Sequence, residues 1–90
     1  MVILVPEPKR LANFARHKID LADFEHGFSW DRYLAGPAKP SRTGRARERY
    51  IGVMAGTVVV AIVSPLGTEA LTVVSIRPAN PNERKAYAEA

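Results

Sequence analysis

The sequence predicts an α+β fold of order β-α-α-β-β-β-α, with helices packed on an antiparallel sheet. Three features lead there. The chain opens on a strand-like run, its second half holds three strand-length runs joined by glycine-bearing turns, and helix-start signals follow both the first and the last strand. Ninety residues make a single domain, 1–90, because a chain of this size has only one small core to build.

Residues 2–5, "VILV", are β-branched or leucine and meet Pro6, which cannot donate to a ladder, so they read as a short first strand. From Pro8 the spacing turns helical, with Leu11, Phe14 and Ala15 on one apolar face, and this helix runs to about His17. Asp20 is a good N-cap for a second, short helix whose apolar face is Leu21, Phe24 and Phe28. Residues 30–47 contain Gly36, Pro37, Pro40, Ser41 and Gly44 without a sustained period and read as a long loop.

Three runs follow, Glu48 to Val53, Thr57 to Ser64 and Glu69 to Ile76, separated by "MAG" and "PLG", which predicts an antiparallel meander. The middle run, "TVVVAIV", is apolar at nearly every position, as befits a central strand covered on both faces. Asn80, Pro81 and Glu83 then stand at the N-cap, first and third positions of a helix over 81–89, the arrangement in which cap and third residue satisfy each other's backbone N–H groups. Three helices leave part of so apolar a sheet in want of cover. Either the loop folds over it or a partner or second copy does.

No cysteine is present, which excludes disulfides, thiolate metal sites and cysteine nucleophiles. His17 and His26 have no carboxylate spacing that completes a metal site, and no glycine-rich phosphate loop or nucleophile elbow occurs, so neither metal nor cofactor is expected. The start lacks a basic leader and the longest apolar run, Ile51 to Val63, is short of a membrane span; a cytoplasmic protein is expected. Thirteen Lys and Arg against nine Asp and Glu give a net charge of +4. The excess is concentrated in "KPSRTGRARER", which carries Lys39, Arg42, Arg45, Arg47 and Arg49. Such a segment suits a polyanion, although a solvated basic loop has the same composition.

The arginines carry the sharpest reading. A guanidinium donates two parallel hydrogen bonds to phosphate oxygens and stays charged. Period-2 geometry puts Arg47, Arg49 and Ile51 on one face of their strand and Glu48 and Tyr50 on the other. Arg77 leaves the last strand where the final helix begins, within reach of that face, so two arginines could share one phosphate. An arginine at a strand end is equally at home solvated or paired with a carboxylate, His17 in a last helical turn can simply complement the helix dipole, and Tyr50 and Tyr87 read as core or rim aromatics.

Three blocks carry a resemblance: "EPKRLANFARHKIDLADFE" (7–25), "RERYIG" (47–52) and "GTVVVAIVSPLGTEALTVVSIRPANPNERKAY" (56–87). Together they resemble the BrnT family of type II toxins, small proteins with a RelE-like ribonuclease fold encoded beside a DNA-binding antitoxin. The ordered set "LGTEA", "SIRPA", "ERKAY" is the most specific part. Two departures stand out: Val5 and Pro6 precede "EPK" where the family has a tryptophan and an acid, and Lys18 follows His17 where it has a glycine. That glycine suits a left-handed helix cap, so its loss predicts a looser turn.

The resemblance implies a metal-independent endoribonuclease that cuts mRNA, stops growth, and is neutralised by a BrnA-like ribbon-helix-helix antitoxin, through which it meets operator DNA. It implies a 2′-OH attacking the adjacent phosphate, with Arg77 and Arg49, or Arg47, stabilising the phosphorane and Lys39, Arg42 and Arg45 guiding the RNA. His17 and Glu48 are the candidates for acid and base. Two other functions compete: a non-catalytic antitoxin-binding module that contacts nucleic acid through the basic loop, and a structural subunit whose sheet exists to be covered.

Overall fold

A computed structural model describes residues Met1–Ala90. The elements run β1 (Val2–Leu4), α1 (Glu7–His17), a 3-10 turn (Leu21–Asp23), α2 (Phe24–Gly27), β2 (Leu34–Pro37), β3 (Glu48–Met54), β4 (Thr57–Leu66), β5 (Ala70–Pro78) and α3 (Pro81–Glu89). They form one five-stranded sheet in the order β1-β5-β4-β3-β2. The fold is α+β as expected.

Two features of the sheet differ from the expectation. It is mixed, because β1 pairs parallel with β5, from Val2 opposite Ala70 to Leu4 opposite Thr72. It also gains a strand inside the segment read as loop: "LAGP" pairs antiparallel with β3, from Leu34 opposite Ile51 to Pro37 opposite Glu48. This strand has no apolar alternation of its own, and Pro37, lacking an N–H, sits at its end on the outer edge where such a residue is tolerated. The remaining loop, 38–47, is closed by a turn in which Arg45 N–H donates to Ser41 Oγ at 2.9 Å.

The meander itself follows the sequence reading. Met54 pairs with Thr57, leaving a two-residue turn in which Ala55 (φ 50°) and Gly56 (φ 77°) are both left-handed, the geometry that matches the twist of the flanking strands. On one face of the sheet Tyr50, Val59, Ala61, Val63, Leu71, Val73 and Ile76 pack with Leu21, Phe24 and Phe28. On the other face Ile51 and Val60 pack with Ala79 and with Tyr87 of α3. Alternation along β4 therefore feeds two cores, which is why the strand is apolar throughout. Gly52 is required on β3: an added Cβ there would lie 2.5 Å from Phe28 Cζ.

Helix α1 presents a different face from the one the apolar spacing predicts. Leu11 and Phe14 are 61% and 49% exposed, whereas Asn13 is buried. The reason lies in β5. Its first residues are paired with β1, but from Val73 onward that edge has no strand beside it. Asn13 takes the place of one: its Nδ2 donates to Ile76 O at 3.0 Å, and its Oδ1 accepts from Ile76 N–H at 2.9 Å. Nδ2 also donates to Ile19 O at 2.9 Å, tying the chain beyond α1 to the same point. Satisfying two buried backbone groups outweighs burying one leucine.

The turn after α1 is not loosened by the absence of glycine. Lys18 adopts the left-handed conformation itself (φ 59°, ψ 28°), and its N–H donates to Phe14 O at 2.9 Å. A side chain in this conformation costs about 1 kcal/mol relative to glycine. Cover of the sheet is incomplete at β1, where Val2 and Leu4 are exposed. The loop after β2 contributes some cover elsewhere, since buried Ser64 donates from Oγ to Ala46 O at 3.1 Å.

Candidate functional site

Arg77 and Arg49 do converge on one anion, and that anion is Glu83. Arg77 donates from Nη1 to Glu83 Oε1 and from Nη2 to Oε2, both at 2.8 Å. Arg49 Nη1 stands 4.0 Å from Glu83 Oε2. The sheet register explains the meeting: Val60 pairs with Ile51 on one side and Arg77 on the other, so Arg49 and Arg77 lie on one face two strands apart. The cap of α3 places the carboxylate between them, because Glu83 N–H donates to Asn80 Oδ1 and Asn80 N–H donates to Glu83 Oε1, each at 2.8 Å. The Arg77 hydrogen bonds hold the Glu83 carboxyl down to about 2, against the opposing effect of burial.

The other predicted residues are dispersed. Arg47 precedes β3 and does not reach Glu83; its Nε is buried with no hydrogen-bond partner. Glu48 accepts from Tyr50 Oη at 3.2 Å, and burial together with this carboxylate pushes the Tyr50 hydroxyl up to about 12. Lys39, Arg42 and Arg45 are exposed on the loop that leads into the Glu48 end of β3. His17 lies at the other end of the sheet, beside Met54 and Thr57. The basic loop and the histidine are thus separated by the length of a strand.

Two cations that the sequence reading passed over, Lys9 and Arg16, lie beside His17 where α1 crosses the edge of β5. Lys9, Arg16 and His17 line one wall of a groove of about 390 Å³, with Ser75 and Arg77 on the other and Asn13 between. Lys9, Asn13 and Arg16 share one helical face by their spacing of four and three residues, a signal present in the sequence. No ion pair engages Lys9, Arg16 or His17. By contrast Arg10 is held by Asp20 at 2.8 Å and Glu7 at 2.9 Å.

His17 also lines a second, larger cavity of about 660 Å³ on its other side. Nowhere do three or more His, Asp or Glu side chains gather as a metal-holding group, and no helix is long and apolar enough to cross a membrane. What the arrangement can do is hold a phosphodiester against two unpaired cations, Lys9 and Arg16, with an imidazole alongside. An imidazole is the side chain suited to moving protons near neutral pH.

No protein-family model matches the chain, and no curated protein does. Among solved structures, it is similar to the 1.1 Å crystal structure of the Brucella abortus ribonuclease toxin, BrnT. The two are 36% identical with a TM-score of 0.70, over 89% of this chain and 97% of the other.

Proposed function

This chain belongs to the BrnT family of toxins, and from that premise we propose that it is an endoribonuclease that cuts mRNA without a metal ion. The observation that carries the proposal is the groove in which Lys9, Arg16 and His17 face Ser75 and Arg77, three of them free of any ion pair. An RNA backbone laid along it meets the donors a phosphodiester requires.

The reaction is transfer within the strand. His17 takes the proton of a ribose 2′-OH, the 2′ oxygen bonds to the adjacent phosphorus, and the bond to the 5′ oxygen breaks. A cyclic phosphate and a 5′-OH result once a proton reaches the departing oxygen. Arg77 lines the groove and extends to Glu83, so RNA crossing it is led from His17 toward Arg49. In this assignment Arg49 and Arg77 stabilise the charge of the phosphorane, with Glu83 orienting both. Of the two β3 candidates, Arg49 is favoured over Arg47 by its approach to Glu83. Glu48, occupied by Tyr50 at the far end of β3, is set aside as the base.

Lys39, Arg42 and Arg45 attract RNA at longer range from the opposite end of the sheet. A DNA-binding, BrnA-like ribbon-helix-helix antitoxin is the proposed partner, linking the toxin to operator DNA from within the cytoplasm. The exposed apolar residues Val2, Leu4, Leu11 and Phe14 offer it a surface to cover.

A second reading, the non-catalytic antitoxin-binding module, draws on the Arg77–Glu83 pair, which leaves a phosphorane fewer donors. Incubating the purified chain with RNA and EDTA and mapping new 5′-OH ends separates the two. New ends that vanish in His17→Ala support the ribonuclease; a folded sample that makes none supports the binder.

A further inference from the structure

We propose that the cavity on the far side of His17 from the cationic groove binds one unstacked nucleobase of the RNA strand, with guanine preferred. The inference rests on the ribonuclease reading and adds a subsite to it. The cavity, about 660 Å³, falls within the roughly 300 to 1,000 Å³ typical of small-molecule sites. It opens where α1 ends in its left-handed turn at Lys18 and the β3–β4 turn stands opposite. Ile19, Met54, Val59 and Pro78 give it apolar walls, and Asp23, His26 and Thr57 give it polar groups.

Apolar planes with a few hydrogen-bonding groups suit a flat ring with a polar edge better than they suit a phosphate. Charge agrees. The carboxylates of Asp20 and Asp23 line this cavity with one cation, Lys18, whereas Lys9, Arg16 and Arg77 line the groove with no carboxylate. A single nucleotide therefore finds its phosphate attracted to one side of His17 and its base accommodated on the other. His17 is common to both walls, so the sugar bridging them passes beside the imidazole.

The preference for guanine comes from Asp23, the one of the two carboxylates that nothing engages. Asp20 is occupied by Arg10 Nε at 2.8 Å and Nη2 at 3.0 Å, and by the N–H of Ala22 at 2.9 Å. No ion pair engages Asp23. An ionised carboxylate only accepts hydrogen bonds, and guanine presents two adjacent N–H donors on its pairing edge, where uracil presents one.

The full chain is titrated with guanosine 3′-monophosphate, uridine 3′-monophosphate and inorganic phosphate while its amide NMR signals are followed. The guanosine nucleotide is expected to move the signals of Asp23, Gly27, Ala55 and Thr57. Inorganic phosphate should move only those along α1 and at Ser75 and Arg77. Filling the cavity with Thr57→Trp, or with Ala22→Trp should the first variant disturb the hairpin, is expected to weaken guanosine nucleotide binding at least tenfold and leave phosphate binding unchanged. Asp23→Asn should erase the margin over uridine. Cavity amides that ignore every nucleotide, or Trp variants that bind and cleave as the parent does, overturn the proposal while leaving the ribonuclease reading intact. A parent that binds guanosine nucleotide in the cavity yet never cleaves RNA sinks the ribonuclease reading and keeps the subsite.

Discussion

Arg77 and Glu83 meet in a two-pronged ion pair, with both contacts at 2.8 Å, that fastens the first turn of α3 to the end of β5. The Glu83 side chain is 10% exposed and that of Arg77 37%. Removing the arginine therefore abandons a nearly buried charge.

Arg77→Ala is accordingly expected to lower stability by about 2 kcal/mol, a figure reduced for the solvent that reaches the guanidinium. Arg77→Ala with Glu83→Ala should cost less than the two single changes added together, because each single change strands the other's partner. Urea unfolding of the four proteins measures this. Loss of toxicity in Arg77→Ala then counts toward a role in the reaction only if the protein is folded at the assay temperature. A folded Arg77→Ala as toxic as the parent sinks the direct role.

Acid should find the same pair. The folded Glu83 carboxyl titrates at about 2 against an ordinary 4.5. Its contribution is complete above pH 4.5 and is lost as pH falls from there toward 2. Asp20, lowered by its hydrogen bonds from Arg10 and from Ala22 N–H, shifts in the same direction. Thermal midpoints should decline across this window in the parent and decline less in Glu83→Gln.

Asn13→Ala should be among the most damaging single changes in α1, at about 2 to 4 kcal/mol, since it leaves the N–H and C=O of Ile76 unpaired in the interior. Hydrogen exchange at the Ile76 amide gives a local check. Unchanged protection there would falsify the edge-closing role.

Lys18→Gly tests the strained turn. It should raise stability by about 1 kcal/mol, because glycine accepts the left-handed conformation freely. Part of that gain is offset by the loss of the ammonium 5.7 Å above the Phe14 ring. A shift of the urea midpoint to lower concentration counts against the account.

His17→Ala is expected to slow RNA cleavage by roughly a hundredfold to ten-thousandfold, the usual range for a missing acid or base. Its thermal midpoint should stay close to the parent's, as His17 takes part in no ion pair. Parent-like cleavage by His17→Ala removes it from the mechanism.

Legibility in the sequence followed the range of the interactions. Asn80, Pro81 and Glu83 announce α3 because a cap is a local arrangement, and the two-residue turn at Ala55 and Gly56 is local as well. Leu21, Phe24 and Phe28 were readable because their spacing and their burial agree. What escaped depends on chain partners far away. The pairing of β1 with β5 joins Val2 to Ala70, and nothing near Val2 specifies it. β2 exists because β3 offers an unpaired edge, not because "LAGP" favours a strand.

Asn13 shows how a pattern misleads. Leu11 and Phe14 are the apolar residues of α1, so spacing alone assigns them to the core, yet the sheet edge needed an amide more than it needed a methyl group. Turning the helix to deliver Asn13 also brought Lys9 and Arg16 against Ser75 and Arg77. The convergence of Arg49 and Arg77 was readable from strand alternation; that Glu83 would stand between them was not, because its capping role alone accounts for its place in the sequence.

Closure of the β5 edge by one asparagine also constrains how the molecule can associate. A sheet grows by adding a neighbour along an open rim, and here β1 offers only three residues, β2 stops at a proline, and the upper part of β5 is already occupied. Fibre-like stacking of copies is disfavoured at each rim. An inhibitor would grip this toxin by its side chains rather than by extending its sheet.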